Sequence, residues 1–417
     1  MFEYNEIQKL RGVRIMDLMK KSIAMHEYYG GKLEIRSKVP LQDRLDLSLA
    51  YSPGVAAPCV EIEKNPALAY DLTSKGNMVA IVTDGTAVLG LGDIGPQAAL
   101  PVMEGKALLL KRFANVDAVP VCLDTKSPDE IVQIVKAIAP TYGGINLEDI
   151  SAPRCFEIED RLRQECNIPV FHDDQHGTAI VVGAGLINAM KIVKKSPENV
   201  KVVVNGAGAA GIAIVRILLQ MGYSNILMCD TKGIIYDGRP EGMNPIKDSV
   251  AKLTNPNLEK GDLSDALTGA DIFIGVSVAN LLTEEHIKSM NADPIVFALA
   301  NPDPEITYDN AQKWGVRVMG TGRSDYPNQI NNVLAFPGIF RGALDVRATD
   351  INEAMKVAAV EAIASLVTEE ELNEEYIVPS SLDERVVGVV AKAVGSAAID
   401  SGVSELFKQP IINEVAI

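Results

Sequence analysis

Five short, unbroken apolar runs recur after Asn199: VKVVVNG (200–206), NILMCD (225–230), DIFIGVS (271–277), PIVFALANP (294–302) and VRVMGTG (316–322). A strand wet on one side alternates apolar and polar residues, so continuous runs of this length predict strands covered on both faces. Helical stretches separate them, and a strand–helix–strand crossover closes in the right-handed sense. This half of the chain therefore reads as an α/β, Rossmann-like, doubly wound parallel sheet.

The rhythm before Asn199 is less regular. Residues 1 to about 35 look helical, with Leu10, Met16, Leu18, Met19 and Ile23 forming an apolar stripe that the pair Gly30-Gly31 ends. From Lys38 to about Pro169, apolar runs at 78–83, 117–124 and 168–171 mix with helical stretches at 103–113 and 128–139, which predicts a second α/β domain. The Ala/Val/Glu-rich tail from about residue 350 reads as helices docked back on the body. A chain of 417 residues exceeds one single-core module, and the expected division is 1–175 and 176–417. There is no internal repeat or low-complexity stretch.

The balance of 39 basic and 55 acidic side chains gives a formal charge of −16 with no Lys/Arg block, so neither nucleic acid nor an acidic membrane surface is an expected partner. The five cysteines are far apart, without a CxxC pair, and read as reduced cytosolic thiols. The charged start MFEYNEIQKLRG does not read as a secretory signal, and no run of about 18 apolar residues is expected anywhere in the chain. The expectation is a soluble, cytoplasmic protein.

Two GxGxxG matches occur, and their surroundings separate them. Gly206-Ala-Gly208-Ala209-Ala210-Gly211 follows a strand and opens an apolar helix, and the next strand ends in Asp230, 24 residues after Gly206. That order supplies a tight turn, backbone close to a pyrophosphate at a helix N-terminus, and a carboxylate for a ribose hydroxyl. The second match, Gly90-Leu-Gly92-Asp-Ile-Gly95, carries an acid that would repel phosphate, and Pro96 and Pro101 interrupt the segment after it. It reads as a structural loop facing the active site.

Two acidic pairs, Glu148-Asp149 and Asp173-Asp174, have the character of a hard-metal site. Adjacent carboxylates repel unless a cation lies between them, and oxygen ligands suit Mg²⁺ or Mn²⁺. Each pair alone is also an ordinary helix N-cap or solvated turn. His172 and His176 have the spacing of a zinc-protease HExxH pattern, but that pattern needs a helix, and here a strand enters and Gly177 comes next. His26 and His286 sit in polar helical settings without evident chemistry. Lys106, in the mostly apolar LPVMEGKALLL, is a candidate base if its surroundings lower its pKa, or a snorkelling surface lysine. Tyr51 precedes Pro53 and Gly54, which put its phenol at a loop edge, as a proton donor or a half-buried packing residue.

The segments AYSPGVA, VTDGTAVLGLGDIG, LPVMEGKALLLKRF, LEDISAP, FHDDQHGTA, NGAGAAG, ALANPDPEI and INNVLAFPGIFRGALD together resemble the malic enzymes in their shorter bacterial form, from about Leu41 to Asp345. The resemblance implies an N-terminal substrate and metal domain, an NAD(P) domain, and oxidative decarboxylation of (S)-malate to pyruvate and CO₂ with NAD or NADP, together with decarboxylation of oxaloacetate. It assigns Lys106 as base, Asp173 as the acid that sets the lysine's protonation, and Tyr51 as proton donor to the enolate. Glu148, Asp149 and Asp174 match the metal ligands. Gly206, Gly208, Ala209, Ala210, Gly211, Asp230, Thr178, Ser277 and Asn301 match coenzyme-binding positions, and Asn301 and Asn332 hold substrate. It also implies a homodimer. Longer members carry an arginine where this chain has Ala87, so the second malate carboxylate needs another donor. Asp230 favours NAD, although Lys232, Arg239 and Lys247 lie close enough in sequence to neutralise a 2′-phosphate. The alternative activity is malolactic, malate to lactate with bound NAD, for which relatives of the longer form are the expected carriers.

Overall fold

The computed structural model describes residues 15–407. Two parallel sheets organise it. The first contains β1 (Met78–Thr83), β2 (Asp117–Cys122), β3 (Gly144–Leu147) and β4 (Val170–His172) in the order β2-β1-β3-β4. The second contains β5 (Lys201–Asn205), β6 (Asn225–Asp230), β7 (Gly233–Ile234), β8 (Ile272–Gly275), β9 (Ile295–Ala298) and β10 (Val318–Thr321) in the order β10-β9-β8-β5-β6-β7. Every pairing is parallel except β6 with β7. All five runs after Asn199 are strands of the second sheet. In both sheets the chain starts inside, winds to one edge, then crosses back, so the order reverses between β1 and β3 and again between β5 and β8. Ligands of such sheets bind beyond the strand C-termini at the reversal.

β1 is buried from Val79 to Thr83, as its unbroken apolar run requires. β2 is an edge strand and therefore tolerates Pro120, which has no N–H to give. The helix Pro96–Ala114 corrects one expectation, because Pro96 and Pro101 do not break it. Pro96 occupies the first turn, where its N–H is not needed, and Pro101 forfeits a single helical bond.

The helix Asp173–Val193 begins where β4 ends and runs through the centre of the molecule. Among the described residues it is the one helix long and apolar enough to cross a membrane, contrary to the expectation that no such run exists. It is instead a core helix, with 72% of its apolar window buried. Its glycines allow close neighbours: a Cβ at Gly183 would lie 3.0 Å from Met221 Sδ, and one at Gly185 would lie 3.0 Å from Ile330 Cδ1.

The helices Glu353–Ser365 and Arg385–Asp400 dock back on the body, as the tail composition predicts, and the helix Phe336–Asp345, which precedes that tail, packs with them. They reach the first sheet as well as the second. Phe340 meets Phe171 of β4 edge to face with centroids 5.8 Å apart, Arg341 Nη1 donates to Asn77 Oδ1 at 2.6 Å, and Arg163 forks onto Asp350 at 2.9 and 2.8 Å.

The N-terminal segment behaves differently. The helix Ile15–Tyr29 ends at Gly30 and Gly31, both at positive φ, as expected. Yet Leu18, Met19 and Ile23 face solvent, and no side chain from Leu18 to Met78 is buried. Leu10 lies outside the described residues, as does the Met16 side chain.

Phe340 is fully buried between the tail and the first sheet. Phe340→Ala should lower the unfolding free energy by about 3–5 kcal/mol, read from the midpoint of a urea or guanidinium titration. A loss below about 1 kcal/mol would mean that the tail does not hold the sheet.

Candidate active site

Four side chains emerge from the C-terminal ends of neighbouring strands. Glu148 and Asp149 follow β3, and Asp173 and Asp174 follow β4 as the first turn of the helix Asp173–Val193, where the helix dipole favours negative charge. Lys106 reaches them from the helix Pro96–Ala114. Its Nζ lies 2.5 Å from Asp173 Oδ2 and 2.9 Å from Glu148 Oε1, and 4.3 Å from the centroid of the Phe336 ring. Asn332 Nδ2 donates to the same Asp173 oxygen at 2.5 Å, and Asn146 Nδ2 donates to Glu148 Oε2 at 2.8 Å. The Asp149 amide donates to Asp174 Oδ2 at 2.7 Å, and His172 Nε2 stands 3.3 Å from that oxygen.

One oxygen each from Glu148, Asp149 and Asp174 fall within 4.8 Å of one another. Burial and the mutual repulsion of these groups push Glu148 well above the usual carboxylate range. Burial and Asp174 push Asp149 up to about 7. Burial raises Asp173 to about 6 despite Lys106. Asp174 is the exception: burial opposes its charge, but His172 and Lys106 hold it below its ordinary value. Asp149 Oδ2 and Asp173 Oδ1 are buried without a hydrogen-bond partner. An all-oxygen set, crowded with like charge and holding an orphaned buried oxygen, fits a hard divalent cation.

The same contacts correct the expected behaviour of Lys106. Apolar surroundings alone would lower its pKa. Burial does pull that way, but Asp173 and Glu148 outweigh it and hold the ammonium above the ordinary lysine value. The zinc pattern also fails for a different reason than expected. A helix does run through residues 173–193, but the two imidazoles are engaged apart: His172 with Asp174 and Gln175, and His176 with Glu159 at 2.7 Å.

Tyr51 is not gathered with these groups. It caps the helix Arg44–Ala50 with 69% of its surface exposed, on the same unburied N-terminal segment.

The glycine loop has the expected form. Gly206 takes φ +121°, and a Cβ on it would lie 2.6 Å from the Val276 carbonyl oxygen. A Cβ at Gly211 would lie 1.8 Å from the Gly206 oxygen, so only glycine lets the helix sit this close to the strand. Gly208 is the N-cap, and Ala209 and Ala210 begin the helix Ala209–Gln220. Thr178 is half-buried one turn beyond the carboxylates. Ser277 and Asn301, both exposed, follow β8 and β9. Gly90 of the second glycine loop abuts Asn301, with a Cβ there 2.8 Å from its carbonyl oxygen, so this loop packs against the turn that follows β9.

Asp230 ends β6, but its carboxylate is occupied. Arg239 grips it at 2.9 and 2.5 Å, Lys247 at 2.6 Å, and the Lys232 amide at 2.8 Å. Although burial opposes the charge, these donors hold its pKa down at about 2.

Several residues of the site escape sequence reasoning. Asn146 and His172 are polar positions inside or at the end of apolar strands, a weak signal that was available. Arg154 reaches the residues before Ala87: Nη2 donates to Thr86 Oγ1 at 3.0 Å and forms an ion pair with Asp84 Oδ2 at 3.0 Å, placing a guanidinium close to the point where the resemblance left a donor missing. Glu305 is buried beneath Ser277 and Ala300.

Raised carboxyl pKa values make protons compete with metal. Asp149 ionises fully only above about 7, so the bare site stabilises the fold below pH 4 and loses that contribution as pH rises through 7. Saturating Mn²⁺ should therefore raise the melting temperature more at pH 8 than at pH 5, by differential scanning calorimetry. Asp174→Asn should flatten the difference, and an equal rise at both pH values would place the metal elsewhere.

Residues 30–163 match the malic enzyme N-terminal domain and residues 175–399 the malic enzyme NAD binding domain. A bifunctional malic/malolactic enzyme of Bacillus subtilis is 61% identical, over 95% of this chain and 96% of its own length. That relative is a short form, which corrects the expectation that malolactic relatives are long. An NAD-dependent malic enzyme of Geobacillus stearothermophilus is 60% identical over 97% of this chain and 84% of its own. The crystal structure of an NAD-dependent malic enzyme from Thermotoga maritima superposes with a TM-score of 0.87 at 50% identity, covering 89% of this chain and 98% of that one. With both halves matched in order, the chain belongs to the malic enzyme family.

Proposed function

We propose that the protein oxidises (S)-malate at C2 with NAD or NADP and decarboxylates the product to pyruvate and CO₂, using Mg²⁺ or Mn²⁺. The observation that carries this is the convergence of Lys106, Asp173, Asn332 and three metal-type carboxylates at the strand ends of the first sheet, in a chain whose second sheet carries the glycine loop. Lys106, Asp173 and the three metal-type carboxylates fall in 1–175, and the glycine loop, Asn301 and Asn332 in 176–417, with the helix Asp173–Val193 joining the two.

Glu148, Asp149 and Asp174 would hold the cation, which supplies Lewis-acid polarisation of the C2 oxygen when bound. Lys106 accepts the proton of the C2 hydroxyl, and its neighbour Asp173 fixes where that ammonium points. Glu148 strengthens the lysine's hold on its proton only while its own charge is free, so a Glu148 engaged as a ligand leaves Lys106 the better base. Asn332 and Asn301 orient the substrate carboxylate and the coenzyme, Thr178 approaches the nicotinamide end, and Tyr51 returns a proton to C3 of the enolate.

Tyr51 lies on the unburied N-terminal face with Leu45, Leu47 and Leu49, all exposed. A face this apolar needs a cover, and a homodimer in which a second copy provides it also takes the phenol out of water. The five free cysteines suit a cytoplasmic setting.

Coenzyme choice no longer leans to NAD. A 2′-phosphate at β6 meets Asp230 already paired with Arg239 and Lys247, rather than a bare carboxylate. We read both coenzymes as usable, in keeping with relatives described as NAD-dependent in Geobacillus stearothermophilus and NADP-dependent in Escherichia coli. The malolactic reading stays second, favoured by the Bacillus subtilis relative.

Purified enzyme with malate, Mn²⁺ and NAD should yield pyruvate and reduced coenzyme in equal amounts; lactate without accumulated NADH would establish the malolactic reading instead. Lys106→Ala should lower malate oxidation by about 10²–10⁴-fold while NADH still binds. Near-normal turnover would remove Lys106 as the base. Lys247→Ala should raise the KM for NADP more than that for NAD, and equal effects would separate Lys247 from the ribose.

A further inference from the structure

Glu305 is completely buried at the coenzyme edge of the second sheet and takes no part in the chemistry at Lys106. Its carboxylate ties together the ends of three strands. Oε1 accepts the Ser277 N–H just past β8 at 3.0 Å, and Oε2 accepts the Ala300 N–H just past β9 at 3.1 Å. The Ser277 hydroxyl also bonds the carboxylate, while its oxygen accepts from Asn205 Nδ2, the last residue of β5, at 2.7 Å. Gly275, the last residue of β8, leaves the space: a Cβ there would lie 2.4 Å from Glu305 Cδ and Oε1. The surrounding backbone is stitched the same way, with Leu282 N–H donating to the Glu305 carbonyl at 2.9 Å and Asn280 N–H to the Pro304 carbonyl at 3.0 Å.

The partners of this carboxylate are backbone amides and a hydroxyl, and burial pushes its pKa up. A buried carboxylate is costly to keep, and if the position served packing alone a leucine would fill it at no such cost. What a carboxylate does that leucine cannot is accept bonds from two chain turns at once. Those turns carry Ser277 and Asn301.

We infer that Glu305 is a positioning residue for the coenzyme, fixing Asn205, Ser277 and the Ala300–Asn301 turn relative to one another so that the ribose and nicotinamide meet a preformed edge. This rests on the reading that NAD(P) lies across the ends of β5, β8 and β9. It also separates two activities of one enzyme: malate oxidation needs the nicotinamide seated on that edge, whereas oxaloacetate decarboxylation moves no hydride and, of the groups assigned to it, has only Asn301 there.

The test uses full-length Glu305→Gln, which keeps the volume but turns one acceptor into a donor facing an N–H. NADH affinity, measured by fluorescence titration, is expected to fall about tenfold or more, with a matching rise in the KM for NAD(P). Oxaloacetate decarboxylation with Mn²⁺ is expected to fall by less than the NADH affinity does, because Asn301 alone of its groups lies on this edge. Gly275→Ala presses the carboxylate out of place without changing charge or any side chain assigned to the coenzyme, and should give the same split. Unchanged NADH affinity in a folded Glu305→Gln would overturn the inference. So would parallel loss of coenzyme binding and decarboxylation, which would make Glu305 a general brace of the fold. If Glu305→Gln does not fold, a Gly275→Ala with wild-type NADH affinity overturns it equally. Wild-type enzyme that fails to bind NADH would remove the coenzyme reading, and this inference with it.

Discussion

A single ammonium, that of Lys106, stands against four acidic groups collected from two strand ends, and much of the first domain's arrangement follows from that imbalance. Two of the four, Asp173 and Glu148, touch it directly. Asp174 leans on His172, while burial and the Asp174 charge hold Asp149 up near 7, with one oxygen that finds no hydrogen-bond partner. Such a cluster is expensive in the bare chain and becomes favourable with a divalent cation. The neutral donors Asn146 and Asn332 serve the same end, since they satisfy carboxylate oxygens without adding charge.

Winding places these groups. The first sheet reverses strand order after two strands and the second after three, so each opens a crevice at its C-terminal edge, the first beside the carboxylate cluster and the second beside the glycine loop. The GLGD loop closes the distance between them, with Gly90 resting on the carbonyl of Asn301. The two sheet ends thus meet through this backbone contact as well as through the side-chain bond of Asn332 to Asp173.

Much of this was legible in the residues. The second sheet showed itself because strands buried on both faces leave uninterrupted apolar runs, and the coenzyme loop because Gly206 and Gly211 occupy positions where any Cβ collides with backbone. β3 and β7 escaped notice: β3 has four residues behind a glycine pair, and β7 has two. The proline reading failed because a helix tolerates proline in its first turn and survives the loss of one bond. The charge state of Lys106 could not be read from an apolar neighbourhood in sequence, since the groups that decide it arrive from positions 148 and 173. Asp230 was found by spacing, but its occupation by Arg239 and Lys247 depends on how the chain turns after β7. The apolar spacing of the first helix was real, yet spacing alone does not say which surface it faces.

The helix Asp173–Val193 begins with two of the site's carboxylates and spends the rest of its length, about 30 Å, wedged among core residues. Its axial position is set far from the chemistry, where Gly183 and Gly185 admit Met221, Val360, Phe297 and Ile330. The carboxylates are therefore mounted on the end of a rod whose seat lies in the hydrophobic interior. A methyl group added at that seat slides the rod and moves two acids together, so selection for packing and selection for chemistry act here on one shared coordinate. This enzyme has little freedom to gain stability in its core without retuning its active site.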